Sequence, residues 1–281
     1  MKIIKKQILC REGDFANEDV AGINEYGAWL LDGATGLSGA KLTDEKSDAR
    51  WYTKWWDSYL SNHLKDNIPI AQIIANGIHQ VSVDFHKAIG NKLCSKLDYP
   101  SSSIIALKWH ENNIEYFSLG DSPLIIQNGD SLDEITDKIV PVLDGKVFDA
   151  IEQAIKELNI TSWEAIKFVQ PMLKEHRMML NTEEGYWILG FDTNAVNKAS
   201  QGLLKINEPT KILMASDGFS AFVDKYHAVE KKDFISQVED NGLAWIYSQI
   251  RAIEDLDNGG IKYPRYKKSD DSSAIFFQAN P

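Results

Sequence analysis

The stretch GAWLLDGATGL, from Gly27 to Leu37, drives an apolar run straight into Asp32-Gly33 and follows it with small residues and a further glycine. One Asp-Gly pair is a turn signal, because aspartate bonds its own backbone and glycine accepts left-handed torsions. The punctuation recurs along the chain. Asp217-Gly218 closes KILMASDG, Asp121 follows EYFSLG, Asp270 and Asp271 precede SSAIFF, and Glu18-Asp19 sits in ANEDV before a strand-like stretch. Five acidic sites at strand ends form a pattern that solvation alone explains poorly.

Further strand-like segments are Ile3 to Leu9, Gly27 to Leu31, Ser103 to Trp109, Ile114 to Leu119 and the LIIQ after Pro123, with HENN and NGD as turns. A second group along the chain holds Tyr186 to Leu189, Leu203 to Ile206, Lys211 to Ala215 and Ala274 to Gln278. The short connections in mid-chain favour antiparallel hairpins. Helical periodicity puts Trp51, Trp55 and Tyr59 on one face, with Trp56 and Leu60 beside them. A second helix, opened by Pro69, carries Ile70, Ile73, Ile74, Ile78, Val81 and Phe85. The aromatic stripe reads as core. Val147 to Leu158, Trp163 to Leu180 and Leu243 to Leu256 are also predicted helical. The pattern suits helical layers over a pair of sheets.

The 281 residues carry no internal repeat or low-complexity linker, so a single domain is expected. A formal charge of −11 argues against nucleic acid or an anionic membrane as the main partner. Cys10 and Cys94 cannot make a disulfide framework, and no Cys/His spacing suggests zinc. His79 and His86 lie on the order of 10 Å apart by helical rise, too far for one metal. GATGLSG fits no nucleotide-binding loop. With too little apolar sequence for a signal peptide or a membrane span, the reading points to a cytoplasmic protein.

Gathered carboxylates suit a hard divalent cation, since Mg²⁺ or Mn²⁺ takes oxygen ligands and keeps several waters. A metal would also relieve their mutual repulsion. The glycine after Asp32 lets the backbone come close and offers its carbonyl as a ligand. On spacing alone, scattered surface turns remain the alternative.

In order, NED (Asn17 to Asp19), WLLDGATG, SLGDSPL, LMASDGF and SDDSSAIFF resemble the successive motifs of the metal-dependent type 2C protein phosphatases (PPM), in particular the bacterial members. PSSSIIAL resembles the small-residue strand between the second and third motifs. The match runs from Asn17 to Phe277. It implies an α+β fold, two antiparallel β-sheets packed as a central sandwich and flanked by helical pairs, with a two-metal site at one edge. By the same resemblance, Asp32 bridges two Mn²⁺ or Mg²⁺ ions and the Gly33 carbonyl binds one. Asp217 and Asp270 hold the other, Glu18 and Asp19 act directly or through water, and Asp121 with Asp217 binds a third ion. Asp271 is the neighbouring alternative to Asp270. Asp32, Asp19 and Asp217 are then the catalytic set, because a water shared by two cations becomes a nucleophile for in-line attack on a phosphate monoester. The implied substrate is phosphoserine or phosphothreonine in a protein, opposite a kinase counterpart.

The chain departs from that pattern at Asp14, where the family often has a phosphate-gripping arginine. Arg11, Lys41 and Arg50 are candidates to replace it, by proximity in sequence only. Ala34 and Ala221 stand where some members carry a histidine and a further aspartate. The segment from about 144 to 184 falls where the family varies its flap. Two other functions stay open: a hydrolase of a small phosphorylated metabolite on the same scaffold, and a catalytically silent binder of phosphoproteins.

Overall fold

The continuous apolar run at Trp29 to Leu31 follows from burial on both faces of its strand, because successive side chains alternate sides. In the computed structural model, which describes residues 1–281, this strand is β3 (Gly27–Ala34). It pairs with β2 (Val20–Ile23) and β4 (Ser101–Trp109), and β5 (Asn113–Leu119) and β8 (Ser200–Lys205) complete an antiparallel sheet in the order β2-β3-β4-β5-β8. A second antiparallel sheet runs β1-β10-β9-β6-β7, built from β1 (Lys2–Arg11), β6 (Leu124–Asn128), β7 (Ser131–Ile135), β9 (Thr210–Ala215) and β10 (Ser272–Asn280). The sheets therefore interleave the two groups of strands read along the chain.

Three apolar layers hold the sandwich together. Between the sheets, Leu30, Ile105 and Leu107 meet Ile212, Met214, Ile275 and Phe277. On the outside of the first sheet, Leu31, Ile104 and Phe117 pack under α1 (Asp48–His63) and α2 (Ile70–Ile89). On the outside of the second, Leu213, Ala215 and Phe276 pack under α5 (Asp217–Asp224), α6 (Phe234–Asn241) and α7 (Leu243–Leu256). Leu30 and Leu31 thus serve different cores. No helix is long and apolar enough to cross a membrane.

Several sequence expectations shift. The fully buried centre of α1 is Tyr52, Trp56 and Leu60, whereas Trp51, Trp55 and Tyr59 pack at its edge. Trp55 lies there stacked on Tyr59, its indole N–H donating to Asp84 at 2.9 Å. Tyr186 to Leu189 is not a strand: it makes only isolated bridges, Leu189 to Ser102 and Tyr186 to Leu180. Helix α3 (Ile139–Leu158) starts well before Val147, because the Asp137 carboxylate accepts from the Ile139 and Val140 amides at 2.7 and 3.0 Å. Pro141 in the first turn forfeits no helical bond. With α4 (Ser162–Met178), opened by a Thr161/Glu164 capping box, α3 forms a hairpin with its own small core of Val147, Ile151, Ala165 and Val169. The cover over the second sheet comes from α5, α6 and α7.

Gly218 and Gly145 make opposite demands. A Cβ at Gly218 would collide with the Asp271 carbonyl, whereas at Gly145, inside α3, it would meet open space. Gly218→Ala is expected to cost about 1–3 kcal/mol by overpacking, and Gly145→Ala to gain about 0.5–1 kcal/mol of helix stability. Urea unfolding of the two variants checks both signs.

Candidate metal centre

Antiparallel pairing brings the ends of β1, β3, β5 and β9 and the starts of β4 and β10 to one edge of the sandwich. Gly33 faces Ser102, Arg11 faces Ser272 and Ala215 faces Ala274 across the ladders. The acidic residues that close these strands therefore meet. Asp32 lies two residues beyond Leu30, so the pleat turns it toward the opposing sheet. There its Oδ2 accepts the Asp217 amide at 3.2 Å, at the first turn of α5. A side chain at Gly33 would strike the Glu18 carbonyl, so the strand needs glycine to bring the β1–β2 loop close.

Asp270 and Asp271 divide their tasks. The buried Asp271 accepts the Gly13 amide at 2.8 Å and the Glu18 amide at 2.7 Å, which pins the loop carrying Glu18 and Asp19. Asp270 lines the cleft, pairs with Lys267 at 2.7 Å and raises the proton affinity of Asp32, Asp19 and Asp217. Glu18 accepts from the Thr35 hydroxyl at 2.6 Å. Asp19 is buried, and its Oδ2 has no hydrogen-bond partner.

The electrostatics show how strongly this edge resists negative charge. Burial, then Asp217 and Asp19, hold the Asp32 carboxyl far above its ordinary value. Burial, then Asp271 and Asp270, do the same to Asp19. Asp121 is pushed up to about 7 by burial and then by Asp217 and Asp144. Asp217 opens on the cleft, yet loss of hydration among the surrounding groups, followed by Asp270, raises it to about 6.

No three acidic, histidine or cysteine side chains close on one point as a finished ligand cage. A hard divalent ion does not require one, since Mg²⁺ binds through one or two carboxylates and retains waters. The all-oxygen donor set, its strained ionisation and the orphaned Asp19 Oδ2 fit such an ion.

Asp144 joins this edge from α3, accepting from the Tyr266 hydroxyl at 3.1 Å and facing Asp121. It was not among the residues singled out in the sequence, although PVLDG repeats the apolar-Asp-Gly signature of Asp32 and Asp217. None of Arg11, Lys41 and Arg50 lines the cleft. Arg50 is spent on the Asn17 carbonyl at 2.7 Å and on Glu45, and Asp14 caps the Ser269 amide at 2.9 Å.

No family model matches the chain, and no curated protein is similar to it in sequence. Solved structures are similar over its whole length. The serine/threonine phosphatase PstP/Ppp of Mycobacterium tuberculosis matches with a TM-score of 0.57 at 14% identity, covering 100% of both chains. Stp1 from Staphylococcus aureus matches with 0.56 at 14%, covering 100% of this chain and 96% of that one. The PstP catalytic domain in complex with two manganese ions matches with 0.55 at 14%, covering 99% of each. What these proteins share with the chain is the fold.

A carboxylate whose proton affinity is raised on folding stabilises the protein below its ordinary titration range, and that contribution is lost as pH rises through the folded value. In metal-free protein, Asp121→Asn is therefore expected to gain stability over the parent between pH 5 and pH 7.5. Thermal melts at the two pH values check this. A constant difference between the proteins contradicts the electrostatics described here.

Proposed function

We propose that the chain is a metal-dependent phosphatase that hydrolyses phosphoserine and phosphothreonine in cytoplasmic proteins, opposite a kinase counterpart. The observation that carries this reading is the meeting of Asp32, Asp19, Asp121, Asp217 and Asp270 at one edge of the sandwich, each adding to the others' reluctance to ionise or feeling it. The fold shared with serine/threonine phosphatases, one of them holding two manganese ions, supports it.

In this reading Asp32, the Gly33 carbonyl, Asp217, Asp270, Glu18 and Asp19 would hold two Mn²⁺ or Mg²⁺ ions, and Asp121 with Asp217 would hold a third. When bound, the ions supply an activated water and charge compensation for phosphoryl transfer. The chain's own part is positional. Asp32 is fixed by the Asp217 amide, and the Glu18-Asp19 loop by Asp271. Lys267 holds Asp270 and limits the net negative charge that an incoming phosphate meets.

Chelation is expected to abolish hydrolysis of phosphopeptides and aryl phosphates, with Mn²⁺ restoring it. Asp32→Ala is expected to lower kcat/KM on the order of 10³-fold. A panel of phosphopeptides, sugar phosphates and nucleotides checks the substrate class. Preference for a small phosphometabolite replaces the protein-phosphatase assignment, and no metal-stimulated hydrolysis of any ester overturns the reading.

A further inference from the structure

The cleft beside the acidic edge has a volume of about 810 Å³ and is walled by α5, α3 and the segment from Lys262 to Asp270. It gathers several cations, and most of them are already engaged. Lys267 pairs with Asp270 at 2.7 Å and Lys231 with Glu134 at 2.6 Å. Arg265 is buried and saturated by Asp257 and by backbone carbonyls, among them that of Glu254. Lys262 lies over the Tyr263 ring, and Lys138 stands in solvent.

Lys225 is part-buried where Lys138 and Lys262 are exposed, and unlike Lys231, Lys267 and Arg265 it has no ion pair. It sits just past the end of α5, whose first residue is Asp217, and shares the cleft with Asp217, Asp121 and Asp270. Its ammonium rests 4.3 Å from the centroid of the Phe148 ring, contributed by α3. It makes no ion pair and no hydrogen bond to any protein group, although Asp217, Asp270 and Asp144 all lie near enough to act on its charge. Part-buried in the cleft, the ammonium keeps only part of its water and has no protein acceptor. The aromatic face stabilises it weakly and leaves its N–H groups free.

We propose that Lys225 is the side chain that receives the phosphoryl oxygens of the substrate in this cleft, an inference that rests on the phosphatase reading above. A phosphomonoester dianion brings several strong acceptors and two negative charges, the complement of an unengaged ammonium. Lys225 shares the cleft with Asp217 and Asp270, so cations held by those carboxylates would face the same anion as its ammonium. Because Phe148 belongs to the hairpin, that contact fixes where the ammonium points. Lys225 is thus a substrate-binding residue, and a purely structural tether between α5 and α3 is the competing role.

The test measures inorganic phosphate binding to the full chain loaded with Mn²⁺ by titration calorimetry, together with kcat and KM for an aryl phosphate. Three proteins are compared: the parent, Lys225→Met and Lys225→Arg. The methionine variant is expected to bind phosphate about tenfold or more weakly, as for a lost hydrogen bond to a charged group, and to show the loss in KM. The arginine variant is expected to stay within about threefold of the parent. Should the methionine variant fail to fold, Lys225→Gln carries the same comparison. Phosphate binding within twofold of the parent in a folded Lys225→Met or Lys225→Gln variant overturns the inference, and so does a parent that binds no phosphate. Lys225-dependent phosphate binding by a parent that hydrolyses no ester keeps the inference and removes the phosphatase reading.

Discussion

Like charges gathered in a poorly hydrated cleft repel one another, and the acidic edge of this sandwich exists because backbone hydrogen bonds oppose that repulsion. Asp32 accepts the amide of Asp217, and Asp271 accepts those of Gly13 and Glu18. Ser216 and Ser273 tie the ends of β9 and β10 together: the Ser273 amide donates to the Ser216 hydroxyl and the Ser216 amide to the Ser273 carbonyl, both at 2.9 Å. That tie lies within one sheet, whereas the bonds from the Asp217 amide to Asp32 and from the Glu18 amide to Asp271 join the two sheets where the carboxylates meet. A site assembled in this way stores electrostatic free energy, which the divalent cations of the proposed function would release on binding.

How far the sequence revealed this depends on the residue. Asp32, Asp121 and Asp217 were legible because each interrupts an apolar strand whose two faces are buried, so the carboxylate stands out against Leu30-Leu31, Phe117-Leu119 and Leu213-Ala215. The choice between Asp270 and Asp271 was not legible. It depends on which side chain reaches the Gly13 and Glu18 amides, more than 250 positions away. Strand pairing was equally hidden: β1 joins β10, and β6 joins β9, by contacts that local periodicity does not encode. Short α5 and α6 lack the turns needed for a visible period, and Tyr186 to Leu189 has strand-like composition but no partner strand.

The α3–α4 hairpin is the part whose purpose tertiary structure alone reveals. Tyr266 donates to Asp144, Lys225 rests on Phe148, and the buried Arg177 donates to the Ser101 hydroxyl and the Thr35 carbonyl. These contacts fasten one wall of the cleft to the edge that carries Glu18, since Thr35 also bonds that carboxylate. Charge is apportioned locally as well. In a chain with a formal charge of −11, the cleft still collects lysines, of which Lys231 and Lys267 are neutralised on the spot by Glu134 and Asp270.

The convergence of carboxylates as a cation site is tested most directly by anomalous diffraction at the manganese edge from crystals grown with Mn²⁺. The account requires two anomalous peaks at the sandwich edge, one shared with Asp32 and both within ligand distance of some of Glu18, Asp19, Asp217 and Asp270. An ordered edge with no peak, or manganese bound only elsewhere on the molecule, contradicts it.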